Sequence, residues 1–129
     1  MAYFNDYYRN AGLTQLATDG TRFDFTSAEA DTYAEATSTL TLANKTSITV
    51  TVEDIPTVGG RRAVVPIIAG ATQTGAAATV ATHWALSNPA NSRLIASGQL
   101  ASSVTLLGSP NTIGTTAVTY INFPAAVDV

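Results

Sequence analysis

Strict alternation of apolar and polar residues recurs along the chain, and it predicts strands far more often than helices. Thr21–Thr26 (TRFDFT) places Phe23 and Phe25 on one face and Arg22 and Asp24 on the other, the pattern of a half-buried strand. Thr39–Asn44 places Leu40 and Leu42 inward, with a turn expected at Asn44-Lys45. Ser47–Ile55 (SITVTVEDI) is the cleanest alternation, with Ile48, Val50 and Val52 on one face. Arg61–Ala69 reads as a strand at an edge or bulged, because Pro66 has no N–H for a ladder. The clearest hairpin is Ala81–Leu100, which holds the only Trp and the only His. Thr82, Trp84 and Leu86 are spaced to share a face, Ser87–Arg93 is dense in turn formers, and Arg93–Leu100 returns. Ser103–Leu107 and Ala117–Phe123 complete the set.

Two stretches break the two-residue period. Ala2–Thr18 carries Tyr3, Tyr7 and Tyr8 at helical spacing, with Phe4 four residues before Tyr8, and predicts a short helical arm that pauses at Asn10–Gly12. Such an arm packs on its own domain or docks on a neighbouring subunit. Ser27–Ser38 predicts a loop with one helical turn, since its threonines oppose a longer helix. Gly70–Ala78 is small and featureless and reads as a flexible tip. The expected fold is therefore mainly β: an antiparallel β-sandwich or flattened barrel of seven or eight short strands with a short N-terminal helical arm. Residues 1–18 form the arm and 19–129 one β-sandwich domain.

Composition narrows the partners more than the fold. A chain of 129 residues has the length of one domain with a real core. With no cysteine, disulfides and thiolate metal sites are impossible. No apolar run approaches the roughly 20 residues of a membrane span, and no signal peptide is expected at the start. Only 12% of residues are charged, the net charge is −3, and Lys45 is the single lysine. That balance opposes binding to a nucleic-acid backbone, which needs clustered Lys and Arg. It leaves a neutral surface rich in Thr, Ser and Ala, suited to sheets and to packing against other copies or a larger shell.

Candidate chemistry is sparse. His83 has no nucleophile elbow and no second imidazole to work with, so it reads as a surface or interface residue. Glu29, Asp31, Glu35, Glu53 and Asp54 do not match a calcium loop and read as solvated carboxylates, although a glycosidase pair is conceivable among them. Arg61 and Arg62 follow Gly59-Gly60. As strand neighbours they point to opposite faces, and at least one is a candidate for an intersubunit salt bridge. No cofactor is expected.

Five segments, Thr21–Ser27, Tyr33–Thr37 (YAEAT), Gly60–Pro66, Ala81–Ser87 (ATHWALS) and Leu94–Leu100, resemble in content and order a family of small structural proteins from tailed-phage virions. The resemblance covers most of the chain from Thr21 onward, and its motifs are strand cores rather than active-site signatures. It implies no enzyme activity and no catalytic residues. Within a virion, a small neutral sandwich suits a capsid decoration, or cement, protein that binds the major capsid protein as a homo-oligomer, most simply a trimer, with neither nucleic acid nor membrane as partner. Its interface anchors would be Tyr3, Phe4, Tyr7 and Tyr8, with Arg61 and Arg62. The rival expectations are a tail or head-fibre component, or a carbohydrate-binding β-module using an exposed Trp84 or Tyr120 as a stacking platform. A buried Trp84 counts against stacking at that ring.

Overall fold

The computed structural model describes residues 6–56 and 59–124, with side chains from 11 to 122. One helix, α1 (Asp6–Asp19), precedes nine strands: β1 (Arg22–Thr26), β2 (Thr41–Thr46), β3 (Thr51–Asp54), β4 (Gly60–Val65), β5 (Ala71–Gln73), β6 (Val80–Asn88), β7 (Arg93–Thr105), β8 (Thr112–Ile113) and β9 (Thr119–Pro124). They form two antiparallel sheets, one ordered β7-β6-β1-β2-β5-β8 and the other β3-β4-β9. The core lies between them. Phe23, Phe25, Trp84 and Leu86 come from the larger sheet, Ala63 and Val65 from the smaller, and Leu13 from α1. The expected mainly β, sandwich-like fold is what the chain adopts.

The helix runs without a break through Asn10–Gly12, and Leu13 in its second half is fully buried. Leu16 and Ala17 also pack on the core, and α1 lies against β3 and β4. Its last turns are therefore part of the sandwich. The Gly20 N–H closes the helix by donating to the Leu16 carbonyl at 2.7 Å.

β1 departs most from its pattern. Alternation predicts one wet face, yet Phe23, Asp24, Phe25 and Thr26 are all fully buried. The cause is the excursion between β1 and β2. It folds back over the outer face of the larger sheet, makes one π-helical turn at Glu35–Thr39, and sets Ala30, Ala36 and Leu40 against Ala85 and Leu94. The polar face of β1 thus meets protein instead of water.

Other departures have local causes. Asn44 and Lys45 lie inside β2, and the bend comes later, at Ser47 with φ 57°. The ladder of β3 starts only at Thr51, although Val50 is buried and Ile48 and Val52 pack on the core as the alternation predicts. β4 is the middle strand of its sheet rather than an edge. It ends at Val65, so the missing N–H of Pro66 falls beyond the ladder. Gly70–Ala78 is no free tip, because Ala71 and Gln73 are buried as part of β5. Arg93–Leu100 and Ser103–Leu107 merge into the 13-residue strand β7, with Leu100–Ser103 left as a bulge between the pairs His83–Gln99 and Ala81–Val104. The same irregularity takes Thr82 off the face of Trp84. Ala81 holds the core position, and the Thr82 hydroxyl donates to the Ser27 carbonyl at 2.9 Å.

Candidate functional site

The outer face of the three-stranded sheet carries the most organised exposed group. Register places Glu53 opposite Arg62 and Tyr120 opposite Val64, one diagonal step from Arg62. Arg62 Nε and Nη2 both reach Glu53 Oε1, at 2.7 and 2.5 Å. Its guanidinium carbon lies 3.7 Å from the centroid of the Tyr120 ring. Tyr120 is 44% exposed, while the Arg62 side chain is only 15% exposed. A planar cation is thus held flat between a carboxylate and an aromatic face. Arg61 points the other way, as expected of a strand neighbour, and its Nη1 reaches Asp54 Oδ1 at 2.7 Å. Both arginines are engaged within their own chain.

Trp84 is 7% exposed. Its ring stacks on Phe23, with centroids 6.2 Å apart and planes 10° apart. Gly98 on β7 packs so closely that a Cβ there would come within 2.9 Å of Nε1. This ring is a core element, and sugar stacking upon it is ruled out. Part of it lines a cavity of about 410 Å³ between the Leu100–Ser103 bulge and Gly114–Thr119, whose walls carry hydroxyls and the Gln99 amide but no ionisable side chain.

The other candidates have structural duties. The Thr82 hydroxyl donates to the Ser27 carbonyl and lies 2.8 Å from His83 Nδ1. Thr82 thus ties β6 to the start of the excursion, with the His83 ring beside it. Glu35 Oε2 accepts from the Asp31 N–H at 2.7 Å, and the Glu35 N–H donates to the Thr32 hydroxyl at 3.2 Å, so this carboxylate serves the local loop. Glu53 and Asp54 are the ion-pair partners already named. Among the described residues no three His, Asp or Glu side chains converge as a metal-binding group, and no helix is long and apolar enough to cross a membrane.

Sequence reasoning missed a buried ion pair on β1, away from the outer face of the three-stranded sheet. Asp24 is fully buried and takes Arg22 Nε at 2.8 Å, Arg22 Nη2 at 2.9 Å and the Thr41 hydroxyl at 2.6 Å. Arg22 is held above the ordinary arginine range, chiefly by the hydrogen bond to Asp24 and against the effect of its burial. Asp24 and Arg22 stand two apart on one strand face, which is the available signal. What hides it is the excursion that covers them.

Tyr3 and Phe4 lie outside the described residues; Tyr7 and Tyr8 lie on α1, with side chains outside them. The chain also divides by charge: from Ala63 to Val127 the only Asp, Glu, Lys or Arg is Arg93. That half supplies β5 to β9, and its exposed apolar residues include Val80 at 41% and Leu107 at 71%. The backbone beside them is joined, the Leu106 N–H donating to the Thr79 carbonyl and the Ala78 N–H to the Leu106 carbonyl. No protein-family model, curated protein or solved structure matches this chain.

Proposed function

We propose that this chain is a bacteriophage virion structural protein, a capsid decoration protein that binds the outer surface of the major capsid lattice and stabilises it. The observation that carries the reading is the charge partition over a sandwich. Ion pairs consume charge within the first 62 residues, and almost none is left on the strands that follow. A surface of Thr, Ser, Ala, Val and Leu loses little hydration free energy when buried against a shell, and repetition over a lattice multiplies a modest contact. The order of the YAEAT and THWAL segments supports the virion setting.

The test is to add the purified chain to heads of the phage that encodes it, assembled without it, and to image them by cryo-electron microscopy. Density for a small sandwich at every equivalent lattice position is expected, together with a higher temperature of head disruption. Density only on the tail or a fibre would move the protein elsewhere in the virion, and no density anywhere would end the virion reading.

One observation favours a second reading. Tyr120 keeps an exposed ring braced by Arg62, so a carbohydrate-binding module would use Tyr120 and not Trp84. Loss of oligosaccharide binding in Tyr120→Ala, with Trp84 emission unchanged, would support it.

A further inference from the structure

The cavity beside the β7 bulge is graded from its buried end to its mouth. Trp84 closes the buried end at 7% exposure. Half-buried Leu100, Val104 and Val118 follow, and exposed Ser102 and Thr116 stand at the mouth. The volume of about 410 Å³ falls within the range of small-molecule sites, roughly 300 to 1,000 Å³. No wall residue is ionisable, so a charged ligand would lose hydration with nothing to replace it.

Two buried side-chain atoms of the described residues are sealed without a partner, Gln73 Nε2 and Ser87 Oγ. The Trp84 Nε1–H also makes no hydrogen bond with a described residue, but it is not one of the sealed atoms, and its ring lines the cavity. Gly98 keeps that edge of the ring clear of a side chain, since a Cβ there would come within 2.9 Å of Nε1. An indole N–H is a donor only, and when buried it ordinarily has an acceptor. Here the acceptor has to come through the cavity.

We infer that the cavity binds a small uncharged ligand bearing an acyl group: its carbonyl oxygen accepts the Trp84 Nε1–H, its methyl packs on Leu100 and Val104, and its hydroxylated remainder meets Ser102 and Thr116 at the mouth. An N-acetylated sugar has this chemistry. A carbonyl suits the buried end better than a hydroxyl, because it accepts without bringing a hydrogen that the apolar wall cannot take. Only the edge of the indole is used, and its face stays on Phe23. The site is separate from Tyr120, which lies on the outer face of the smaller sheet. The inference does not rest on the virion reading, and the failure of either leaves the other standing.

The experiment is an NMR titration of the isotope-labelled intact chain with N-acetylglucosamine, glucose and glucosamine. Trp84 is the only tryptophan, so one indole N–H signal reports on the site. N-acetylglucosamine is expected to move that signal saturably to lower field, with Kd on the order of millimolar. Glucose lacks the acyl group and should bind about tenfold more weakly or worse. Glucosamine, recorded below neutral pH where it is a cation, should leave the signal unmoved. Ser102→Phe, at an exposed wall position, should weaken N-acetylglucosamine about tenfold or more while the amide pattern away from the cavity is kept. An indole signal that none of the sugars moves, or that glucose moves as readily, would overturn the inference, as would Ser102→Phe binding like the wild type. Shifts confined to Tyr120 and its neighbours would overturn it as well and favour sugar binding on that face.

Discussion

β1 and β7 belong to the same sheet and meet opposite fates. β1 has a partner on each side and protein over both faces, and it still carries a charged pair inside, Arg22 with Asp24. β7 has one partner, is bulged, and has almost no charge to defend its open side. The difference teaches where this chain spends its ionic groups. They appear where a local partner neutralises them, as at Arg22–Asp24, Arg61–Asp54 and Arg62–Glu53, and on β5 to β9 only Arg93 remains. The buried pair holds the excursion against β1, with Arg22 Nη2 also donating to the Thr37 carbonyl; β7 keeps an open edge broken by bulges. The first can be broken by substitution, and the second is sharpened by it.

The largest effect is expected at Asp24. In Asp24→Ala, Arg22 stays partly buried without its counter-ion and Thr41 loses its acceptor, so unfolding free energy should fall by about 3 kcal/mol. This is the lower part of the range for breaking a buried pair, because Arg22 keeps 20% side-chain exposure. Arg22→Met with Asp24→Leu should recover most of that loss, since matched apolar replacement removes both desolvated charges. Urea unfolding followed by Trp84 fluorescence measures both. Arg22 adds no pH dependence near neutrality. Its folded-state pKa is raised, so its contribution is complete below the ordinary arginine value and is lost only as pH climbs through the raised one. If Asp24→Ala were as stable as wild type, burial of this pair would not be what holds the excursion down.

Most of the sandwich was legible because alternation reports burial on one face, and the Phe23, Trp84 and Leu86 positions follow from it directly. What escaped was settled at long range. The burial of Asp24 depends on Ala30–Leu40, six to sixteen residues further along, a segment with no periodicity of its own that is held down against Ala85 and Leu94 of distant strands. β5 and β8 are strands of three and two residues whose pairing is decided by where β2 and Gly70 deliver them. Thr82 stood on the expected face until a bulge moved it, and a bulge inserts one residue without changing the local pattern. At the candidate sites, Arg61 and Arg62 were found by their unusual adjacency, but their carboxylate partners and Tyr120 depend on register between strands far apart in sequence.

A middle-sized effect is expected where the two compared strands connect through β6. Gly98 of β7 lies against Trp84, which stacks on Phe23 of β1. Gly98→Ala places a methyl within 3.0 Å of three indole atoms, and the ring must shift toward the neighbouring cavity. A loss of about 1–3 kcal/mol is expected, as for other overpacked cores, with Trp84 emission moving to longer wavelength as the ring meets water. An unchanged spectrum and unchanged stability would mean that β7 yields instead, and that it is a softer strand than its pairing implies.

The smallest effect separates structure from adhesion at Arg62. Removing this side chain ends the contact with Glu53, which is half exposed, and the cation–π contact with Tyr120. Partly exposed pairs of this kind contribute little each, so Arg62→Ala should lower stability by about 1 kcal/mol, or about 4 °C in Tm. Arg62→Lys should recover less than half, because an ammonium group cannot lie flat on the ring. A double-mutant cycle with Tyr120→Leu should give a coupling of about 0.5 kcal/mol. If stability is unmoved in all three while binding to heads is lost, the outer face of the three-stranded sheet is a docking surface. If stability falls as stated and binding is kept, Arg62 braces Tyr120 and the contact lies on the uncharged strands instead.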